Sequence, residues 1–168
     1  EFQRQVQVPL LLENDVYALA KGIIEVEEES NFALINLGTG VRLANVRDQK
    51  VYKGSTGNAG EVSQMKVYIK ELDQFEKIDN VVSGKGIENL YLKFTGRRQK
   101  AKEIFKSDKE DCVKVKKIFY QNLYRLIQQI SFFYNPDKII LTSSVSDSIH
   151  QEIENINLQI NNENYQFL

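Results

Sequence analysis

Residues 31–46 read NFALINLGTGVRLANV, and apolar and polar side chains alternate on both sides of Gly38-Thr39-Gly40. A period of two belongs to β-strands. Two strands joined by so short a turn form a hairpin, and a hairpin needs a larger sheet or a layer of helices to bury its apolar face. Glycine also lets backbone N–H groups crowd around an anion. The turn therefore suits either a plain hairpin or a phosphate cradle. Arg42 follows it where a phosphate loop commonly keeps a small residue.

The flanking segments say what joins the hairpin. VQVPLLL reads as a short buried strand with Pro9 near its start. Asn14 and Asp15 then open a stretch in which Val16, Leu19, Ala20, Ile23 and Ile24 share one face, which predicts a helix with a carboxylate at its N-terminus. RDQK turns into a third strand, KVYKG, and the glycine-rich GSTGNAGE leads to a further strand, MKVYIK. From Gln74 onward the pattern becomes helical, interrupted at SGKG and FTGR, with Ser83 placed to cap a helix. Between Asp111 and Tyr134, Val115, Ile118, Phe119, Leu123, Leu126, Ile127 and Ile130 recur at helical spacing until Asn135-Pro136 ends the run. KIILT reads as a compact buried strand and DSIHQEIENI as a last amphipathic helix. The Asn-rich tail, NINLQINNENYQF, reads as an edge strand that frays from about residue 157. Strands, then helices, then a strand and a helix predict the α/β class: a mixed sheet with helices packed against it. No linker or repeat divides residues 1–168, so a single domain is expected.

The 168 residues carry 22 Lys+Arg against 23 Asp+Glu. That balance gives no broad electrostatic grip on nucleic acid or membrane. GRRQKAK reads as a solvated helix start among acidic neighbours. No apolar run is long enough to span a bilayer, and no signal-peptide pattern opens the chain. A single cysteine, Cys112, rules out an internal disulfide and points to a reducing, intracellular compartment. With a single histidine, His150, a tetrahedral zinc site within the chain is not expected, and no metal ligands are assigned. The opening Glu1-Phe2 reads as the edge of an excised piece.

The candidate chemistry sits in loops. Asp15 at a strand-to-helix junction is either a capping residue or a general base. GNAGE either is turn chemistry or delivers Glu61 into a cleft, where an ionised carboxylate accepts strong hydrogen bonds from hydroxyls. Taken in order, VPLLLENDVYALAKGI, NLGTGVRLANV, GSTGNAGEVSQ, IDNVVSGKGIENLY and PDKIILTSS resemble the C-terminal lobe of bacterial-type glucokinases and their relatives, the repressor–ORF–kinase (ROK) sugar kinases. These belong to the hexokinase–actin–heat-shock ATPase superfamily. The resemblance covers most of the chain and implies a ribonuclease-H-like sheet.

It also implies roles. Asn14 and Asp15 would lie at the sugar, with Asp15 the catalytic base that takes a proton from the 6-hydroxyl as it attacks the γ-phosphate. Gly38, Thr39 and Gly40 would face the ATP phosphates. Glu61 would hold ring hydroxyls, joined by Gln64 and Asp79. There are departures. Gln64 stands where the family has histidine, and Asp79 is one methylene shorter than the family's glutamate. Arg42 replaces a glycine two residues past the turn. Ser143 and Ser144 replace a glycine pair near the adenosine. The cysteine-rich zinc segment of many ROK proteins is missing, which is closer to the glucokinases. No Asp-x-Gly-x-Thr motif of the N-terminal lobe, the support for Mg²⁺ and phosphates, occurs in the sequence.

The expectation is a glucokinase-like lobe that is non-catalytic on its own. It would serve as a structural or interaction module, a pseudoenzyme-like subunit. A protein partner would cover the apolar face around Asp15 and VPLLL. The competing expectation is one part of an active hexose kinase, using ATP and Mg²⁺ on glucose or a related hexose, with its N-terminal lobe supplied elsewhere. A sugar-responsive regulator ranks last, because neither a helix-turn-helix nor a basic arm is present.

Overall fold

The structure, a computed structural model, describes residues 12–26, 28 and 30–150. Helix α1 (Asp15–Ile24) begins where expected: Asn14 caps it, its side-chain oxygen accepting the Val16 N–H at 3.0 Å. The hairpin follows as β1 (Phe32–Leu37) and β2 (Val41–Arg47), then β3 (Lys50–Tyr52). Two short strands, β4 (Lys66–Ile69) and β5 (Gln74–Lys77), form a separate antiparallel pair. Helices α2 (Gly84–Thr95), α3 (Ala101–Lys106) and α4 (Glu110–Tyr134) come next, then β6 (Lys138–Thr142) and the short α5 (Ser144–Ser148).

The main sheet has the order β3-β2-β1-β6, antiparallel except where β6 returns parallel to β1. Period-two alternation splits the hairpin between two layers. Ala33, Ile35, Leu37, Val41 and Leu43 face the larger core with α2, α3 and α4, while Phe32, Leu34, Ala44 and Val46 face α1. This is the mixed sheet with helices packed against it that the strand and helix order predicts. It puts the Gly-Thr-Gly turn at one end of the sheet, beside the start of α2 and of α5.

Every apolar position read from the α4 pattern is buried, and Asn135 ends the helix in the left-handed conformation just ahead of Pro136. Ser83 caps α2 as expected, its hydroxyl accepting the Gly86 N–H at 2.9 Å. Three expectations need correction. Gln74–Lys77 is strand, because Asp73, left-handed at φ 49, reverses the chain after a short 3₁₀ turn at Lys70–Leu72. On α1 the buried stripe is Val16, Tyr17 and Ala20, with Ile23 and Ile24 beside it, while Leu19 on its flank is exposed. Strand β6 is half-buried rather than fully buried, since it lies at the end of the strand order. The last helix begins at Ser144 and ends at Ser148, and the rest of the expected DSIHQEIENI helix past His150 lies outside the described residues, as do the expected frayed tail and VQVPLLL apart from exposed Leu12. Among the described residues no helix is long and apolar enough to cross a membrane.

Candidate functional site

The turn at Gly38-Thr39-Gly40 closes on itself, with the Gly38 N–H donating to the Gly40 carbonyl at 3.0 Å. It is gripped twice from the segment that leads into α2. The Gly84 N–H donates to the Gly38 carbonyl at 2.8 Å, and the Val41 N–H donates to Asp79 Oδ1 at 2.7 Å. The fit is close: a Cβ on Gly40 would lie 2.8 Å from Asp79 Oδ1, so a larger residue there would push that carboxylate aside. Arg42 folds back over the same place, donating from Nη1 to the Val41 carbonyl at 3.0 Å and lying 3.9 Å from Asp79 Oδ1. Ser143 is adjacent, its Oγ 3.1 Å from where a Gly38 Cβ would be.

The turn opens on a cavity of about 690 Å³ between α2, α3 and α5. Lys85, Lys100, Lys102 and Lys106 line it against Glu88 and Asp147. Lys100 lies 3.8 Å from Glu88. A cleft with this sign of charge, closed at one end by a glycine turn, suits a phosphorylated ligand. The sequence reading missed these lysines. The GRRQKAK cluster reads as solvated, and only the fold brings Lys100 and Lys102 round to Lys85 on α2.

The second group of predicted residues lies around α1 and the loop that carries Glu61. Asp15 is exposed in the first turn of α1, with Oδ1 accepting the Val16 N–H at 2.8 Å. Tyr17, which sequence reasoning did not single out, ties this helix to the loop. Its hydroxyl lies 2.5 Å from the Ala59 carbonyl and 3.2 Å from that of Gly57. Burial pushes the Tyr17 hydroxyl's pKa up, and the negative charges of Glu61 and Glu13 add to the effect. Gly60 takes φ +86 against β2, where a Cβ would lie 2.1 Å from the Leu43 carbonyl, so no other residue fits that bend.

The bend presents Glu61, exposed, to solvent. Ser63 Oγ donates to Glu61 Oε2 at 3.3 Å and accepts from Gln64 Nε2 at 3.3 Å. Lys77 Nζ donates to the Gln64 side-chain oxygen, Oε1, at 2.8 Å. Gln64 thus orients Glu61 through Ser63. At the entry to α1, Glu13 bonds Lys21 at 2.6 Å and Lys53 at 2.7 Å. Those two ammonium groups hold the Glu13 carboxyl down at about 2, from an ordinary 4.5.

The structure thus joins Asn14 and Asp15 to the Glu61–Gln64 loop through Tyr17. It places Asp79 at the glycine turn, on a 3₁₀ turn (Ile78–Asn80) that packs against the one following Glu61 (Val62–Gln64). Among the described residues no cluster of three or more His, Cys, Asp or Glu gathers to hold a metal.

The sequence profile of the ROK family matches residues 1–167. No curated protein matches the chain by sequence. Among solved structures, the fold is similar to a ROK family protein from Streptococcus pneumoniae in complex with sucrose, with TM-score 0.79, 20% identity, and coverage of 99% of this chain and 61% of that one. It is similar to the ROK hexokinase from Thermus thermophilus, with TM-score 0.76, 14% identity, and coverage of 94% and 61%. A ROK family glucokinase from Streptomyces griseus in complex with glucose and AMPPNP gives TM-score 0.73, 16% identity, and coverage of 94% and 59%. The chain spans 59–61% of the length of these proteins, and at such identities the likeness establishes the hexokinase-like fold.

Proposed function

This chain belongs to the ROK family, and on that premise we propose that it is the lobe of a hexose kinase that carries the sugar's base and the nucleotide's cradle, without catalysing transfer by itself. The observation that supports this most is the Gly38-Thr39-Gly40 turn, held from α2's side and open on a lysine-lined cavity. A nucleoside triphosphate matches that cavity in size and sign of charge. When bound, ATP supplies the transferred phosphoryl group, with Mg²⁺ carried in on its phosphates, since Mg²⁺ takes few protein ligands.

Glu61 and Gln64 bind ring hydroxyls, and Asn14 fixes the start of α1. Asp15 Oδ1 is occupied by the Val16 N–H, which leaves its second oxygen for the 6-hydroxyl. There the carboxylate takes the hydroxyl proton as that oxygen bonds to the γ-phosphorus and the bond to the β–γ bridging oxygen breaks. The free, buried Cys112 thiol is consistent with a reducing, intracellular setting.

A hydrogen bond to a charged group contributes roughly 1.5–3 kcal/mol, about ten- to a hundredfold in affinity. Calorimetric titration of the chain with glucose is therefore expected to give binding that Asp15→Ala weakens by at least about tenfold. Titration with Mg²⁺-ATP then tests the cavity. Exposed Leu12 and Leu19 beside Asp15 favour a second reading, a partner-covered interaction module that has lost its ligands. Silence with both ligands from a folded sample would select it.

A further inference from the structure

We infer that Asp79 is a positioning residue of the glycine turn, not a sugar ligand, and that Arg42 neutralises its charge there. The inference rests on the proposed phosphate-binding role of that turn. Two observations place Asp79. Its Oδ1 accepts the Val41 N–H at 2.7 Å, and the same oxygen fills the space beside Gly40 that a Cβ would need. Its own backbone is fixed too, since Ser83 Oγ donates to the Asp79 carbonyl at 2.7 Å while capping α2. A shorter acidic side chain suits this task. It meets the turn without the extra methylene that would push its carboxylate past Val41.

A carboxylate beside a phosphate cradle would repel the ligand if left alone. Arg42 removes that conflict. Its guanidinium stands 3.9 Å from Asp79 Oδ1, bonds the Val41 carbonyl, and is partly exposed, so donors remain for a phosphate oxygen. Arg42 and Asp79 read separately as two departures from the family pattern. In the fold they are one device, a long cation at the turn's exit and a short anion beneath it.

The same segment touches the sugar loop. The Ile78 N–H donates to the Met65 carbonyl at 2.8 Å, and Lys77 bonds Gln64. Residues 77–84 therefore span from the Gln64 side of one half-site to the Gly38 carbonyl of the other, with Asp79 between.

The test uses the whole chain with Asp79→Ala, Asp79→Asn and Arg42→Ala. Amide hydrogen exchange needs no ligand. In Asp79→Ala the Val41 amide is expected to exchange about ten- to a hundredfold faster while the α4 amides keep their protection. Asp79→Asn retains an acceptor oxygen and is expected to stay within a few-fold of the parent. Unchanged Val41 exchange in Asp79→Ala overturns the inference. Calorimetry with inorganic tripolyphosphate and with glucose gives the second readout. Tripolyphosphate affinity is expected to fall about tenfold or more in Asp79→Ala and Arg42→Ala, with glucose affinity unchanged. Weaker glucose binding with tripolyphosphate unaffected makes Asp79 a sugar ligand and overturns the inference. A parent chain that binds neither probe refutes the proposed function, while the exchange data still decide what Asp79 holds.

Discussion

Ser143 sits at φ 87, ψ 172, a region of backbone space that only glycine occupies at ease. The resemblance places a glycine pair at Ser143 and Ser144, and the chain path at Ser143 is still the one a glycine would take. A side chain there stores roughly 1–3 kcal/mol of strain, while glycine in its place costs roughly 0.5–1 kcal/mol of extra chain entropy. Ser143→Gly is accordingly expected to stabilise the fold by about 1 kcal/mol, read as a higher urea midpoint at constant slope. A lower midpoint would mean that the serine does more in place than its backbone conformation costs. Sequence identified this position only through the resemblance. It did not identify Tyr17 at all, because an aromatic on a helical stripe reads as core, and the hydroxyl's reach to Gly57 and Ala59 depends on a loop forty residues away.

The entry to α1 is held by charge. Glu13 bridges Lys21 on the helix and Lys53 just past β3, and this pairing keeps its carboxyl at about 2 against an ordinary 4.5. The sign follows from linkage: a lowered folded-state value means the contribution is fully present above 4.5 and is lost as pH falls from there through about 2. Stability of the parent chain is expected to drop across that window relative to Glu13→Gln, measured by urea unfolding at successive pH values. Parallel curves for the two proteins would remove Glu13 as the cause. Elements whose apolar pattern is long were legible in advance, α4 above all. Strand β4 was legible as well, in MKVYIK, whereas β5 was not, since Gln74, Phe75 and Lys77 are exposed, Phe75 packing on exposed Tyr68 at 5.4 Å between centroids, and so leave no buried face to read.

At the scale of the molecule, the larger core decides whether there is a site at all. Phe119 of α4 is fully buried and meets Phe105 of α3 edge-on, 5.2 Å between ring centroids. Helix α3 lines the lysine-lined cavity, and α4 packs against α3 through this ring pair. Phe119→Ala is expected to cost about 3–5 kcal/mol, a large share of the roughly 5–15 kcal/mol that holds a domain folded. A urea midpoint within experimental error of the parent's would contradict that packing. The sheet's outline and the glycine turn were readable from local alternation. The cavity was not, because its lysines lie on different helices and meet only once the core is formed.

That arrangement has a consequence in time. Strand β1 finds its parallel neighbour, β6, only after more than a hundred residues of chain have been made, for Phe32 pairs with Lys138. The hairpin with its glycine turn leaves the ribosome about a hundred residues ahead of the strand and serine that complete its surroundings. The growing chain therefore carries the turn with half of its surroundings while the residues between are made, and the sheet around it closes only once β6 has joined.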